Sequence, residues 1–517
     1  MKKNMIFLQS TILVMIITLF SKFLGFAREI FIAKEFGVSF ETDAYFLAVT
    51  IPLILFSSLF FAISTTFIPV YTSIVNNKGE EEGLNFTNKI LNLLICFLVI
   101  SISVLIFFAP QIVGLIAIGF DGSTFELAVK YTIILLPIAL FLGINQLFSG
   151  YLQAKKQFIA SVAISIPSNL LIVLILIIAI DINMNYLIWA TLAGSFLQLL
   201  FQIPFLRRAN YKYTMSFSIK DRDVKQVIKL TIPVLLGTSI QQINLLIDRM
   251  LASGLHDGSI SALNYATRLN GFVFGIVATS IATTIFPILS SLVSKNRFSE
   301  FSETTKNSLI QVTIITIPIV IGTMIFKKPI IKLLFEHGEF NSEATSMTAD
   351  ALFYYSFGML FLGYREVLNR AFYSLKDTKT PMINGAYAIL INIVLSFVLI
   401  RFMDFRGLAL ASSVAAAVTS SLLIYSLQKK MQLKLGVEFG KVLSKILVAS
   451  LLFGICSYSG FYFLNNSLGY IFSIFISVMF GGAVYVTALY LLKVNEVQLI
   501  FNMFYRKFNK SKENLEV

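Results

Sequence analysis

The sequence predicts an all-α polytopic membrane protein of about fourteen transmembrane helices. They are arranged as two pseudo-symmetric six-helix bundles plus two C-terminal helices. Three observations predict it. The 517 residues are 57% hydrophobic and 13% charged, and apolar runs of about 20 residues recur from end to end. Lysine and arginine concentrate in alternate loops. Finally, the second half of the chain repeats features of the first.

In order, the apolar runs place spans near 5–36, 43–75, 86–109, 126–152, 157–181, 183–206 and 226–253. They continue at 259–293, 303–326, 345–374, 380–402, 407–428, 441–464 and 468–492. Several exceed the roughly 20 residues a span needs, which implies tilt or extension into water. One set of loops carries Lys155, Lys156, Arg207, Arg208, Lys295, Arg297, Lys376, Lys379, Lys429, Lys430 and Lys434. The other holds only Lys34, Lys130, Lys327, Lys328, Lys332, Arg401 and Arg406. The basic set is cytoplasmic by the positive-inside rule, and both termini are then cytoplasmic, as an even number of spans requires.

The repeat is carried by Ala62-Ile63-Ser64-Thr65-Thr66-Phe67-Ile68-Pro69, which returns as Ser280-Ile281-Ala282-Thr283-Thr284-Ile285-Phe286-Pro287. The end of span four, Gly150-Tyr151-Leu152-Gln153-Ala154-Lys155, pairs with the end of span ten, Ala371-Phe372-Tyr373-Ser374-Leu375-Lys376. Matched spans lie an even number apart, so the bundles are parallel repeats about an axis along the membrane normal. The expected organisation is a six-helix lobe over 1–210, a second over 211–435 that opens with a basic linker, two extra helices over 436–493, and a cytoplasmic tail from 494 to 517. The linker near 207–229 is basic and amphipathic, suited either to an anionic leaflet or to plain solvation.

Several function classes are excluded. Cys96 and Cys456 fall inside apolar runs and suggest neither a disulfide nor a metal site. His256 and His337 are lone loop histidines. No phosphate-binding glycine loop, nucleophile triad or metal-ligand cluster occurs, so no enzyme chemistry is expected. The net charge of +14 reports basic cytoplasmic loops, not a nucleic-acid partner. Without an ATP motif, pumping draws on an ion gradient, the membrane potential or the substrate gradient.

The informative residues are charges inside apolar spans, each costing at least about 2.5–3.5 kcal/mol at mid-membrane depth. Lys22, Gly25 and Arg28 share a helix sector of roughly 120°, with Gly25 leaving a notch between two cations. That is a polar face with room for an anion, set against snorkelling of both side chains to the interface. Arg268 begins about 14 Å below the outer end of span eight, and its repeat partner is Thr50. It either faces a cavity or forms an ion pair with Asp248. Asp248 is paired in sequence with Arg249 near an interface; alternatively it holds a cation with neutral oxygens from Asn392, Ser396 and Ser412. Asp43 reads as an N-cap or first-turn acid of span two.

These residues sit in runs that resemble the MurJ (MviN) family, part of the multidrug/oligosaccharidyl-lipid/polysaccharide exporter superfamily. The runs are Phe20-Ser21-Lys22-Phe23-Leu24-Gly25-Phe26-Ala27-Arg28-Glu29, Phe36-Gly37, Thr42-Asp43-Ala44-Tyr45-Phe46 and Leu334-Phe335-Glu336-His337-Gly338-Glu339-Phe340. To them is added Arg370-Ala371-Phe372-Tyr373-Ser374-Leu375-Lys376-Asp377-Thr378-Lys379-Thr380-Pro381. The similarity spans essentially the whole chain. It implies a multi-pass flippase of the bacterial cytoplasmic membrane acting on lipid II, the undecaprenyl-pyrophosphate-linked peptidoglycan precursor. Two lobes would form a V around a cationic cavity, the last two spans would make a groove for the lipid tail, and membrane lipids would be the other partners. It implies substrate binding by Arg28 and Arg268, with Lys22 where an arginine is usual, and a family aspartate at Asp43. Asp248, Asn392 and Ser412 match a sodium site of some members, and Ser396 replaces its second aspartate. Pro52-Leu53-Ile54-Leu55-Phe56-Ser57-Ser58 lacks the cations usual in span two, and Thr267 replaces an aspartate. The alternatives are a relative moving another undecaprenyl-linked saccharide and a small-molecule exporter of the same superfamily.

Overall fold

The computed structural model describes residues 2–179, 183–431 and 436–498, with side chains from Leu13 onward except at 273, 274, 276–279 and 283. The expected tail from residue 499 on, Lys434 and the Thr283 side chain lie outside the described residues. In chain order the helices are α1 (Lys2–Phe36), α2 (Phe40–Lys78), α3 (Glu80–Phe107), α4 (Ala109–Ile116), α5 (Gly122–Leu135), α6 (Ile138–Ala154), α7 (Phe158–Val162), α8 (Ser165–Ile178) and α9 (Met184–Arg208). They continue as α10 (Arg222–Ser253), α11 (Ser259–Ser294), α12 (Phe298–Ile325), α13 (Lys327–Phe335), α14 (Ser342–Ser374), α15 (Lys379–Met403), α16 (Phe405–Met431), α17 (Val437–Leu468) and α18 (Tyr470–Leu491). No strand occurs among the described residues.

Among the described residues, eleven helical segments are long and apolar enough to cross a membrane, with α5–α6 and α7–α8 each counting as one. The long helices α1, α11 and α14 complete the expected set of fourteen. Prolines explain both interruptions. Pro137 falls at the α5–α6 break, and Pro167 cannot donate to Ala163, where α7 ends.

The repeat reaches into hydrogen bonding. Thr66 Oγ1 donates to Ala62 O at 2.8 Å, and its counterpart Thr284 Oγ1 donates to Ser280 O at 2.7 Å. Each bond satisfies a hydroxyl within its own helix, as hydrocarbon demands. The short helices α4 and α13 follow α3 and α12 at matching places. The turns ending α6 and α14 also match, but through Lys156 (φ 63°) and Lys376 (φ 58°), one residue off the sequence pairing of Lys155 with Lys376. In both turns the next N–H bonds back five residues, Gln157 to Leu152 O and Asp377 to Phe372 O.

The chain forms two compact units. The first comprises Met1–Arg268, Phe335–Ala344 and Ser396–Leu408. Its centre is α2: 61% of the most apolar window of α2 is buried, against 6% for α10. Around α2 pack α3, α5, α6 and α10, and a stack of Phe67, Phe86 and Tyr71 fills one end. Because α10 packs along α2, with Thr66 and Thr231 hydroxyls 3.1 Å apart, this unit runs past the expected boundary at residue 210.

The second unit comprises Leu269–Leu334, Thr345–Leu395 and Ala409–Val517. One core gathers Leu289, Phe301, Leu309, Leu368, Phe372 and Leu423. Another joins Ile310 and Ile317 of α12 to Phe453 and Tyr485 of α17 and α18. The last two helices close tightly because their interface is made of small residues: a Cβ at Gly481 would meet Ser457 and the Phe453 carbonyl, and one at Gly460 would meet Ser477. At the head of α15, Asp377 accepts from Thr380 N at 3.0 Å and from Lys430 at 2.7 Å. Burial pushes its carboxyl up, but these donors outweigh it and hold the pKa down at about 2.

Candidate functional site

The charges of α1 meet polar residues of α8 and α11. Helices α1 and α8 pack together, and the seam carries Ser21 against Ser165, their hydroxyls in a short hydrogen bond. One face further along, Arg28 Nη1 donates to Asn169 Oδ1 at 3.1 Å. A Cβ at Gly25 would come 3.4 Å from the Asn169 amide. The notch expected to admit an anion therefore admits Asn169, which braces Arg28.

The centre of the site is Glu29, whose side chain is 3% exposed. Arg28 Nη2 lies 2.6 Å from its Oε1, and Arg268 Nε lies 3.5 Å from the same oxygen. So Arg268 does form an ion pair, but with Glu29 of α1 instead of Asp248. The two arginines differ in freedom. Arg28 is 25% exposed and held at both ends of its guanidinium, whereas Arg268 is 53% exposed with a longer contact. Two cations around one carboxylate leave a net positive cluster. Tyr45 stands beside it, its hydroxyl 3.0 Å from Thr191 Oγ1. Lys22 is exposed on the same helix.

Asp43 is not open to a ligand. Buried at 3% exposure, it accepts from Gly258 N at 2.8 Å, from Ser261 N at 2.7 Å and from the Ser261 hydroxyl. It thus caps α11, not its own helix, where Ser39 is the cap of α2. The repeat spacing that pairs Ala62 with Ser280 pairs Asp43 with Ser261, so the carboxylate ties the two repeats at equivalent positions. This bond sets where α11 starts, and with it the height of Arg268.

A second tie explains the Phe36-Gly37 and Gly338 runs. Glu339 N donates to Lys34 O at 2.8 Å, and Tyr265 Oη donates to Gly37 O at 3.3 Å. Gly37 (φ 59°) and Gly338 (φ 60°) both need the left-handed region, and a Cβ at Gly338 would lie 2.3 Å from Lys34 O. Around this crossing Phe26, Tyr265, Phe335 and Phe340 pack ring against ring.

The four residues read as an ion set divide between the units, Asp248 and Ser396 in the first, Asn392 and Ser412 in the second. Asp248 Oδ2 accepts from Asn244 at 3.3 Å. Asp248 Oδ1, Asn392 Oδ1 and Ser396 Oγ are buried without a hydrogen-bond partner among the described residues, and Ser412 is half-buried. Among those residues no group of three His, Cys, Asp or Glu could hold a metal.

Sequence reading missed the role of Glu29 and Asn169. The signal was available, since a glutamate beside an arginine, and an asparagine directly before the apolar run of α8, both need partners.

The sequence profile described as "Lipid II flippase MurJ" matches residues 32–479. The chain belongs to the MurJ family. The "Probable lipid II flippase MurJ" of Buchnera aphidicola subsp. Baizongia pistaciae is 34% identical over 423 residues, covering 80% of this chain and 82% of that protein. Its namesake from Buchnera aphidicola subsp. Schizaphis graminum is 29% identical over 515 residues, 97% of this chain and 99% of the relative. A solved "Lipid II flippase MurJ, inward closed conformation" superposes with TM-score 0.79 at 26% identity, over 96% of this chain and 99% of its own. The profile begins at residue 32, so the arginine-bearing stretch of α1 falls outside it; the MurJ relative from Schizaphis graminum spans nearly the whole chain.

Proposed function

We propose that this chain is a lipid II flippase of the bacterial cytoplasmic membrane. It carries the undecaprenyl-pyrophosphate-linked peptidoglycan precursor from the inner to the outer leaflet by alternating access, with both termini cytoplasmic. Beyond kinship, the observation that carries this reading is the pair of arginines sharing Glu29. A pyrophosphate offers several anionic oxygens, and guanidinium groups bind such oxygens through charge-assisted bonds. Arg28, braced by Asn169 and Glu29, is the fixed donor. Arg268, half exposed and loosely held, turns from Glu29 to the incoming anion. When the lipid leaves, Glu29 takes Arg268 back, so the empty site is not left with two unbalanced cations. Lys22 supplies further positive charge, and Asp43 acts indirectly by holding the head of α11. The work is binding and movement, with no bond made or broken.

Sodium is the coupling ion this chemistry favours. In the first unit, Asp248 Oδ1 and Ser396 Oγ are oxygens of the kind a hard cation takes, and both are buried without a hydrogen-bond partner among the described residues. The membrane potential and the substrate gradient are the other available drives.

One observation favours a second reading, transport of a different undecaprenyl-linked saccharide. The stretch from Leu53 to Ser58 is uncharged, and Phe56 there is 5% exposed and stacks on Phe60. Complementation of a strain depleted of its lipid II flippase decides between the two. Rescue of growth is expected. A protein that inserts at normal levels and fails to rescue belongs to the second reading.

A further inference from the structure

The segment between α9 and α10 is held as an extended strap across α3. Asn88 and Asn92, one turn apart on α3, bind its backbone. Asn88 Nδ2 donates to Lys212 O (2.9 Å) and Thr214 Oγ1 (2.8 Å). Asn92 Nδ2 donates to Thr214 O (3.3 Å) and Ser216 O (2.9 Å). The hydroxyls of Tyr211 and Tyr213 donate back to Asn88 Oδ1 (2.6 Å) and Asn92 Oδ1 (2.9 Å). One end is fixed where Tyr151 Oη donates to Ala209 O (3.1 Å), the other where Lys89 pairs with Asp221 (2.7 Å). A linker that only spanned a distance would need none of these bonds.

What the strap presents outward is apolar. An extended chain turns alternate side chains to opposite sides. Met215, Phe217 and Ile219 follow that period and are 80%, 53% and 64% exposed. The stripe leads into α10, a membrane-span candidate whose Ile228, Ile232 and Leu236 are also exposed. Its flanks are cationic, with Lys212, Lys220, Arg222 and Lys225 all exposed. The two acids nearby are already engaged, Asp221 by Lys89 and Asp223 by Lys78.

We propose that the strap over 211–220 is an interfacial anchor for anionic phospholipid. Met215, Phe217 and Ile219 seat among acyl chains, and the flanking cations sit on anionic headgroups. A lipid surface fits both features at once: the apolar stripe runs on into the exposed apolar side chains of a membrane-span candidate, and the two acids beside the cations, Asp221 and Asp223, are taken by Lys89 and Lys78. The strap is an unusual form of such an anchor, because α3 supplies the backbone hydrogen bonds that an amphipathic helix would make for itself.

The test uses the full chain in nanodiscs. Trp189 is replaced by Phe, and Phe217→Trp becomes the sole tryptophan. In discs containing phosphatidylglycerol its emission should be blue-shifted and quenched by lipids brominated on the acyl chain, as strongly as Leu236→Trp in the same background. In pure phosphatidylcholine the quenching should fall, and Lys212→Gln with Lys220→Gln and Arg222→Gln should abolish the difference between the two lipids while Leu236→Trp stays quenched. A water-like, unquenched Phe217→Trp in anionic discs, beside a quenched Leu236→Trp, overturns the proposal. So does burial of Phe217→Trp only after cytoplasmic protein is added. Should Phe217→Trp insert poorly, a nitroxide at Met215→Cys, with Cys96→Ser and Cys456→Ser, gives the same decision. Greater access to oxygen than to a water-soluble nickel complex supports the anchor, and the reverse sinks it.

Discussion

Glu29 is shared by two guanidinium groups that it holds unequally, and this inequality makes separable predictions. Truncating one partner of a buried ion pair costs about 3–5 kcal/mol, because the remaining charge is stranded. Arg28→Ala removes the 2.6 Å partner of a 3%-exposed carboxylate, so it should lose both transport and thermal stability. Arg268→Ala removes an exposed side chain at 3.5 Å and leaves Arg28 in place. It should abolish flipping of labelled lipid in proteoliposomes with little change in melting temperature, losing on the order of 2–5 kcal/mol of lipid binding. Arg268→Lys should keep partial activity, since charge remains and the planar fork is lost. Wild-type flipping by a well-folded Arg268→Ala protein would remove Arg268 from the site. At this scale the sequence made both arginines legible, because a charge in an apolar run stands out by its cost. It did not say how they pair: which side chain reaches Glu29 depends on the packing of α1 against α8 and α11.

Between helices the decisive contacts are made by short connections. The turn after α1 and the turn after α13 cross so closely that neither can carry a side chain at its glycine. Gly338→Ala would meet Lys34 O and also force a left-handed backbone that costs an L-residue roughly 1–2 kcal/mol. The crossing carries Phe335 and Phe340, which pack on Tyr265 of α11 one turn before Arg268. Gly338→Ala should therefore lower the melting temperature of the purified protein by several degrees and weaken lipid binding through Arg268. The conservative control is His337→Ala, on the same loop, which should melt near wild type. A Gly338→Ala protein as stable as wild type would show that the crossing does not hold the site. The sequence displayed these glycines as a family resemblance only. Nothing in spacing or hydropathy says that residue 37 meets residue 339, whereas the helices themselves were legible because hydrocarbon demands long apolar runs. Asp43 shows the same limit: a first-turn acid was readable, but it caps the wrong helix for a local rule to find.

For the whole molecule, the repeat is what the sequence carried best, since it is a sum over many residues and survives the loss of any one. The short helices α4 and α13 and the paired bonds of Thr66 and Thr284 extend the repeat beyond the residues that revealed it. The division into lobes was less legible, because α10 packs on α2 across the linker and no composition change marks that contact. The loop charges predict a topology that can be tested directly. The turn between α11 and α12, with Lys295 and Arg297, belongs to the basic set. The turn between α10 and α11 belongs to the other, and His256 there is 84% exposed. In a background with Cys96→Ser and Cys456→Ser, His256→Cys should react with a membrane-impermeant thiol reagent added to intact cells. Lys295→Cys, also at an exposed position, should react only after the membrane is opened. His256 pairs with Asp404, so a modest drop in stability is expected from losing an exposed contact, on the order of 0–1 kcal/mol. That is too small to change the direction in which fourteen helices cross. Labelling of Lys295→Cys from outside, with His256→Cys protected, would invert the molecule and place Arg268 near the cytoplasmic end of its span, where it could not receive a lipid on the outward half of the cycle.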